Sequence, residues 1–247
     1  MSDALRVALV GNPNCGKTSL FNHLTGTRQK VANYAGVTVE RKVGHFQLPS
    51  GRNVRVLDLP GTYSLQATSP DEEITRDVCE GKIAEEGQQD AFLCVVDATN
   101  LKLHLGLVLE IIELGRPILV VLNMMDEARR RGIQINTQKL SERLGVPVVE
   151  TVAVRNSGIE NLLHALDQQK YTVPHTELSG LTGEHHQKIQ IIFKDVVNFV
   201  DQEDKRTDFL DKIFLHPVLG LLSLAVMMFI VFQAVFAWAA PFMDGIE

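Results

Sequence analysis

An eight-residue stretch, GNPNCGKT at 11–18, indicates the fold class of this 247-residue chain. It matches the phosphate-loop pattern G-x-x-x-x-G-K-[ST] and stands between a short apolar run, 5–10, and a segment with helical spacing, 17–25. In such a loop, successive backbone N–H groups turn inward around a phosphate, and the start of the helix adds its positive end. The pattern predicts that Lys17 contacts the β- and γ-phosphates of a nucleotide and that the Thr18 hydroxyl binds Mg²⁺.

Outward from this loop, the first 170 residues alternate between strand and helix patterns. Two continuous apolar runs, AFLCVVD at 91–97 and ILVVLN at 118–123, are typical of parallel strands buried between helices. A polar stretch, 26–37, favours a loop. The alternation predicts a doubly wound α/β domain over 1–170, with a mostly parallel six-stranded sheet flanked by helices.

The chain changes character beyond residue 170. Pro, Gly, Ser and Thr over 171–183 are typical of a linker, and apolar residues at helical spacing over 184–200 predict an amphipathic helix. We predict a linker and short helical domain over 171–216. The next 23 residues, 218–240, carry no formal charge and are long enough to cross a bilayer core of about 30 Å. A transmembrane helix is therefore predicted over 217–243.

Composition narrows the class of protein. The net charge is -6, from 24 basic and 30 acidic side chains, so no basic excess favours nucleic acid as a partner. The three cysteines, Cys15, Cys79 and Cys94, are far apart and favour a reducing compartment. Basic residues Arg206 and Lys212 precede the apolar tail, which predicts the N-terminal domain on the cytoplasmic side of a membrane.

Three further motifs follow predicted strands, in the order that a GTP site requires. In DLPG at 58–61, the Asp can hold Mg²⁺ through water, and the Gly61 N–H can meet the γ-phosphate. In NMMD at 123–126, the Asp126 carboxylate can accept guanine N1–H and N2–H, whereas adenine offers it a lone pair. Asn123 would tie this loop to the phosphate loop and to the base, and TVAVR at 151–155 could offer a backbone N–H to guanine O6.

Three polar residues bear on hydrolysis. Thr38 is predicted as a second Mg²⁺ ligand, ordered by a γ-phosphate. Thr62 stands where many regulatory GTPases carry a glutamine that orients the attacking water, so the intrinsic rate should be slow. Asn14 could compensate by holding a monovalent cation beside the phosphates, although an asparagine that merely stabilises the turn fits the spacing as well.

Several longer segments resemble one family. GNPNCGKTSLFNHLTG, YAGVTVERKVG, LDLPGTYSL, SPDEEITRDV and LNMMDEA together resemble the cytosolic G-domain of the FeoB ferrous-iron transporters, and DFLDKIFLHPVLGLL resembles the start of their first membrane helix. The resemblance implies a Ras-like GTPase domain joined by a helical domain to a Fe²⁺ permease of the bacterial cytoplasmic membrane. It also implies potassium at Asn14, with a small cytosolic Feo-system partner and a homo-oligomer as further possibilities.

This chain departs from the family pattern at three points. Cys15 stands where serine or alanine is also common, and its neighbours favour a reactive thiol. Val152 replaces the usual serine of the guanine-contacting turn, and the helical domain is short. The switch loops are expected at 33–41 and 61–66.

The predicted site combines these motifs. The residues expected to act in hydrolysis are Asn14, Lys17, Thr38 and Gly61. The Mg²⁺ ligands are Thr18, Thr38 and Asp58, and Asn14 is the potassium ligand. The residues predicted to bind GTP or GDP are Gly11, Asn12, Pro13, Asn14, Cys15, Gly16, Lys17, Thr18, Gly36, Val37, Thr38, Val39, Glu40, Asp58, Leu59, Pro60, Gly61, Asn123, Met124, Met125, Asp126, Val152, Ala153 and Val154.

Some features fit structural roles better. SPDEE at 69–73 could pass for an acidic iron site, but Ser69, Pro70 and Glu72 form a helix-capping pattern. Two other functions stay open from the residues: a membrane-anchored regulatory switch without transport, and a ribosome- or tRNA-associated GTPase, which the acidic balance and the apolar tail disfavour.

Overall fold

The computed structural model describes residues 4–26, 29–34, 39–155, 157–173, 185–199 and 214–234. The predicted site residues Gly36, Val37 and Thr38 lie outside the described residues. The chain divides into two compact units, Met1–Val200 and Asp201–Glu247.

Nine strands occur among the described residues. They are β1 (Leu5–Gly11), β2 (Gln29–Asn33), β3 (Glu40–Gln47), β4 (Asn53–Asp58), β5 (Ala91–Asp97), β6 (Ile118–Asn123), β7 (Ile133–Ile135), β8 (Val148–Glu150) and β9 (Val197–Phe199). Seven form the main sheet, in the spatial order β2-β3-β4-β1-β5-β6-β8. Strands β4, β1, β5, β6 and β8 run parallel, whereas β2 and β3 pair antiparallel at one side. The predicted α/β fold with a mostly parallel sheet is confirmed.

Helices connect the strands. The helices of the described residues are α1 (Lys17–Thr25), α2 (Pro70–Glu80), α3 (Leu101–Glu113), α4 (Met125–Arg130), α5 (Thr137–Leu144), α6 (Ile159–Asp167), α7 (His185–Val196) and α8 (Leu219–Gln233). Each face of the sheet has its own apolar core: Ala8 and Val10 of β1 belong to one, and Val7 and Leu9 belong to the other. Burial on both faces explains why the central strands read as continuous apolar runs.

The prediction of a loop over 26–37 is wrong for the five residues Gln29–Asn33, which form strand β2. These five residues pair with β3 in antiparallel register, which makes seven strands in the sheet rather than six. All five side chains of β2 are exposed. An edge strand without a buried face shows no alternation of apolar and polar residues, so its sequence resembles a loop.

The amphipathic pattern over 184–200 forms a helix and then a strand. Helix α7 ends at Val196, and β9 pairs antiparallel with β7. Ile192 and Val196 are buried in the same apolar core as α3. The amphipathic helix is therefore part of the first compact unit. The predicted division into domains at 1–170 and 171–216 concerns independent folding and stays a prediction.

The second unit contains α8, whose 15 residues lie within the predicted 217–243 span. Residues 235–243 of that span lie outside the described residues. Within the part of the chain that the structure describes, no helix combines the length and the hydropathy that a bilayer crossing requires.

Candidate functional site

The four predicted motifs meet at one edge of the sheet. Strands β1, β4, β6 and β8 belong to its parallel part, so their carboxyl ends lie on the same side. This edge is where ligands bind in open α/β sheets. The loops that leave it are 11–18, 58–61, 123–126 and 151–155.

The phosphate loop forms the wall of a cleft of about 570 Å³. Gly16 has φ +86°, and a Cβ atom there would lie 2.2 Å from the Nδ2 atom of Asn123, so only glycine fits. Asn14 has φ 63°, a left-handed conformation that asparagine tolerates. The lining residues are Asn12, Pro13, Asn14, Gly16, Lys17, Thr18, Ser19, Gly61 and Met124.

Lys17 joins the phosphate loop to the end of β4. Its Nζ atom lies 2.9 Å from Asp58 Oδ1 and also donates to the Leu59 carbonyl oxygen. The two charged side chains are 11% and 6% exposed, so this ion pair is largely shielded from water. The structure thus brings together the predicted phosphate ligand and the predicted metal ligand, although the two residues are 41 positions apart.

A second cleft of about 450 Å³ adjoins Lys17 on the side of Asp58. Its walls include Thr18, Val39 and Glu40 as well as Asp58. A hydroxyl and a carboxylate facing one cleft are the oxygen ligands that Mg²⁺ prefers when nucleotide phosphates complete its coordination. Thr18 and Asp58 therefore fit the predicted Mg²⁺ site.

Asn123 links three of the four motifs and is 2% exposed. Its Nδ2 atom donates to the Cys15 carbonyl oxygen at 3.0 Å, which confirms the predicted tie to the phosphate loop. Its Oδ1 atom accepts from the Ala153 N–H at 3.0 Å and from the Thr151 hydroxyl at 3.3 Å. The role of the Thr151 hydroxyl was not foreseen, because no sequence pattern marks it.

Two N–H groups of the turn at 151–155 already donate to protein acceptors. The Val152 N–H donates to the Ser157 carbonyl oxygen at 2.9 Å, and the Ala153 N–H donates to Asn123. A contact of either group with guanine O6 therefore stays a prediction and requires one of these bonds to be exchanged. Val154 is 81% exposed.

Asp126 lies in the first turn of α4, two residues after Met124, which lines the cleft. Its Oδ2 atom pairs with Arg155 Nε at 3.4 Å, and the arginine side chain is 71% exposed. An exposed ion pair of this kind contributes little free energy, so a bound base can displace it. Met124 lines the cleft, whereas the predicted site residue Met125 is buried in the apolar core.

Residues 5–166 match the family described as ferrous iron transport protein B. The chain belongs to the ferrous iron transport protein B (FeoB) family. It is 48% identical over 166 residues to the Fe(2+) transporter FeoB of Escherichia coli K12, a match that covers 67% of this chain and 21% of that protein. The Salmonella typhimurium LT2 transporter is 48% identical over 164 residues, again with 21% of its length covered. The chain thus spans about a fifth of the curated relatives that it matches.

Solved FeoB structures confirm the Ras-like G-domain fold. The cytosolic domain of L. pneumophila FeoB is 33% identical with a TM-score of 0.69, and the match covers 78% of this chain and 99% of that one. The G domain of T. maritima FeoB is 42% identical with a TM-score of 0.61, covering 68% and 99%. The cytosolic domain of T. maritima FeoB in its GMPPNP form is 30% identical with a TM-score of 0.70, covering 78% and 99%.

The FeoB-like segment SPDEE caps α2, as its residue types predict. Ser69 Oγ accepts from the Glu72 N–H at 3.3 Å, and Pro70 begins the helix. The Glu72 carboxylate accepts from the Thr68 N–H and hydroxyl, at 2.9 and 2.7 Å. The Thr68 hydroxyl is the main cause of a lowered pKa at Glu72. The expected return bond of the capping box thus goes to the residue before Ser69.

In this FeoB-family G-domain the thiol of Cys15 is not activated, so the predicted reactivity is wrong. The side chain is fully buried beneath the phosphate loop. Burial raises the pKa of the Cys15 thiol to about 11, and the nearby N–H groups and ammonium of Lys17 only partly offset it. The sequence places Cys15 beside Lys17 but does not reveal that the side chain points into the core.

Proposed function

We propose that this chain binds GTP and hydrolyses it to GDP and phosphate. The observation that carries the proposal is the meeting of four nucleotide motifs at one sheet edge, joined by Lys17–Asp58 and by Asn123. Among the similar solved structures, cytosolic domains of T. maritima FeoB are described in GDP and GMPPNP forms, which supports the same ligand class here.

Hydrolysis would proceed by in-line attack of water on the γ-phosphate, with no protein nucleophile. Lys17, the phosphate-loop N–H groups and the Gly61 N–H would bind the negative charge that develops on the phosphate oxygens. Mg²⁺ held by Thr18 and Asp58 would neutralise the β- and γ-phosphates. Thr38 is proposed as the further Mg²⁺ ligand.

The side chain of Thr62 favours a slow intrinsic rate, and a cation at Asn14 would raise that rate. The Thr62 side chain is fully buried, and its hydroxyl donates to the Ser64 carbonyl oxygen at 2.5 Å. It therefore does not face the cleft to orient water. Asn14 is exposed on the cleft wall, and within the described residues its side chain has no hydrogen-bond partner. Potassium bound by this amide oxygen would supply the missing positive charge.

At the level of the whole protein, we propose that the G-domain and the segment after it are the cytosolic part of a Fe²⁺ transporter in the bacterial inner membrane. The relatives named Fe(2+) transporter FeoB support this assignment. The apolar sequence at 217–243 would form the first membrane helix. Nucleotide-dependent changes in the loops 33–41 and 61–66 would regulate iron passage, with a small Feo-system protein and a homo-oligomer as the proposed partners.

The base assignment can be tested with one pair of variants. Asp126→Ala should lower GTP affinity about a hundred-fold or more and leave weak ATP binding unchanged, because only guanine donates two hydrogen bonds to this carboxylate. Calorimetric titration with both nucleotides measures the selectivity. Glu127→Ala is the matched control, since among the described residues the Glu127 carboxylate pairs with Arg130 and Arg131, at the end of the same helix, and with no residue of the site. Unchanged GTP selectivity in Asp126→Ala would contradict the assignment.

Phosphate release from GTP tests the reaction itself. The unmodified chain should release phosphate slowly, and Lys17→Ala should release none above the rate of GTP in buffer. An unmodified chain that binds GTP without turning it over would sink the enzymatic proposal and leave a binding module.

A further inference from the structure

The loop 61–66 leaves the phosphate cleft and has no helix or strand of its own. It begins at Gly61, which lines the cleft and lies close to Pro13 of the phosphate loop. The Thr62 N–H donates to the Gly11 carbonyl oxygen at 3.2 Å. These contacts hold only the first residues of the loop. The position of Gly61 therefore also depends on what holds the middle of the loop.

Glu110 of α3 supplies that anchor from 45 residues away. The Ser64 hydroxyl lies 2.8 Å from Glu110 Oε1 and 3.1 Å from Oε2, and the Leu65 N–H donates to Oε2 at 2.5 Å. The Gln66 N–H in turn donates to Ser64 Oγ at 3.0 Å. Hydrogen bonds to a carboxylate are stronger than neutral ones, so Glu110 is a main anchor for the middle of the loop, beside the packing of Leu65 on the apolar core and the bonds between Thr62 and Ser64.

Helix α3 makes this anchor rigid. Its residues Leu109 and Ile111, on either side of Glu110, are fully buried in the apolar core, and the helix packs against β5 and β6. A carboxylate held by such a helix has a fixed position relative to the sheet edge. Glu110 itself does not line either cleft.

We propose that Glu110 is a positioning residue for GTP hydrolysis, which holds the loop 61–66 so that the Gly61 N–H stays at the γ-phosphate. The inference rests on the proposed GTPase function and adds a residue outside the nucleotide motifs. A displacement of about 1 Å at a group that binds the transition state can cost up to about a hundred-fold in rate. Because Glu110 lines neither cleft and, among the described residues, its carboxylate bonds to Ser64 and Leu65, its loss should lower kcat and leave nucleotide binding unchanged.

The test compares variants of the whole 247-residue chain in detergent micelles. Glu110→Ala should lower kcat for GTP about ten-fold or more, with KM for GTP and Kd for GDP within about two-fold of the unmodified values. Glu110→Gln keeps one acceptor oxygen and should recover part of the rate. Ser64→Ala should lower kcat less, because the Leu65 N–H still donates to Glu110. In the Glu110→Ala background its effect should be smaller than in the unmodified chain, because the Ser64–Glu110 bond is already lost.

Glu113→Ala is the matched control on the same helix. Glu113 pairs with His185 and Lys188 of α7, is about half exposed, and does not contact the loop. Its kcat should equal that of the unmodified chain. If Glu110→Ala matches Glu113→Ala in kcat, the inference is overturned while the proposed GTPase function stands. If Glu110→Ala fails to fold, an unchanged kcat in Ser64→Ala overturns it equally. No turnover in the unmodified chain would instead overturn the proposed function.

Discussion

At the scale of single residues, one buried amide connects the site. Asn123 donates to the phosphate loop and accepts from the 151–155 turn, so both ends of its side chain are used. The same amide explains why Gly16 has no side chain: a Cβ atom there would collide with Nδ2. The first of these contacts was predicted from the order of the motifs. The steric conflict at Gly16 could be found only from the distance between Gly16 and Asn123, which are more than a hundred residues apart in the chain.

Asn14 allows a direct test of the cation hypothesis. GTP hydrolysis by the unmodified chain should be faster in potassium chloride than in sodium chloride of the same concentration. A gain of about ten-fold or more would be in keeping with a cation placed at the developing phosphate charge. Asn14→Ala should erase this difference and leave Kd for GDP nearly unchanged.

The left-handed backbone of Asn14 calls for a second variant. Asn14→Gly keeps φ 63° without strain and removes the amide, so it separates backbone effects from cation binding. Phosphate release in the two salts is the measurement for both variants. Equal rates of the unmodified chain in both salts would refute a potassium site.

At the scale of elements, a buried ion cluster fastens the segment between α2 and β5 to the sheet. The Glu86 side chain is 1% exposed and pairs with Arg41 of β3 and with Arg55 of β4, the latter at 2.6 Å. Burial alone would raise the pKa of Glu86, but the hydrogen bonds from both arginines outweigh it and leave the pKa below its ordinary value. Because Glu86 must be ionised to make these bonds, its contribution to stability depends on pH.

This cluster predicts an acid-sensitive component of stability. A carboxyl group with a depressed pKa stabilises the fold above its unfolded pKa, near 4.5, and that stabilisation is lost as pH falls through the folded value. Glu86→Gln should lower the free energy of unfolding by about 3 kcal/mol at pH 7, since it leaves two arginines without their carboxylate. The loss should shrink toward pH 3.

Urea unfolding at pH 7 and pH 3 measures this effect. Glu142→Gln is the control, because Glu142 is exposed and, within the described residues, its carboxylate accepts from Gln138 alone, one helical turn away. It should change the free energy of unfolding by less than about 1 kcal/mol at either pH. A loss in Glu86→Gln that is equal at both pH values would contradict the ionised pairing.

Element prediction from sequence succeeded where burial imposed a pattern. The central strands β5 and β6 were recognised because helices cover both faces and select continuous apolar runs. Strand β2 was missed because it buries nothing. Strand β9 was read as the end of a helix, because three residues are too few to show a period of two against the preceding helical pattern.

At the scale of the whole molecule, α7 and β9 belong to the first compact unit. Ile192 and Val196 are fully buried, and Arg143 of α5 pairs with Asp195 of α7 at 2.5 Å. These contacts cross the predicted boundary at residue 170. They give a physical reason to expect that a chain ending there is less stable.

Two truncations test this expectation. A fragment of residues 1–170 should unfold with a free energy about 3–6 kcal/mol lower than a fragment of residues 1–200, because it loses the burial of Ile192 and Val196. Urea midpoints of the two fragments give the difference. Ile192→Ala in the longer fragment should account for about half of it. Equal midpoints would show that the G-domain is complete at residue 170.

The order and spacing of the motifs determined the fold class, the nucleotide chemistry and the edge of the sheet where the loops meet. This was possible because a phosphate loop needs defined residue types, and because parallel strands place their carboxyl ends together. Only the tertiary structure decided that Cys15 is buried and that Asn123 bonds to two loops at once. It also decided that Glu110 holds the loop 61–66. These facts depend on distances between residues far apart in the chain, and no local pattern records such distances.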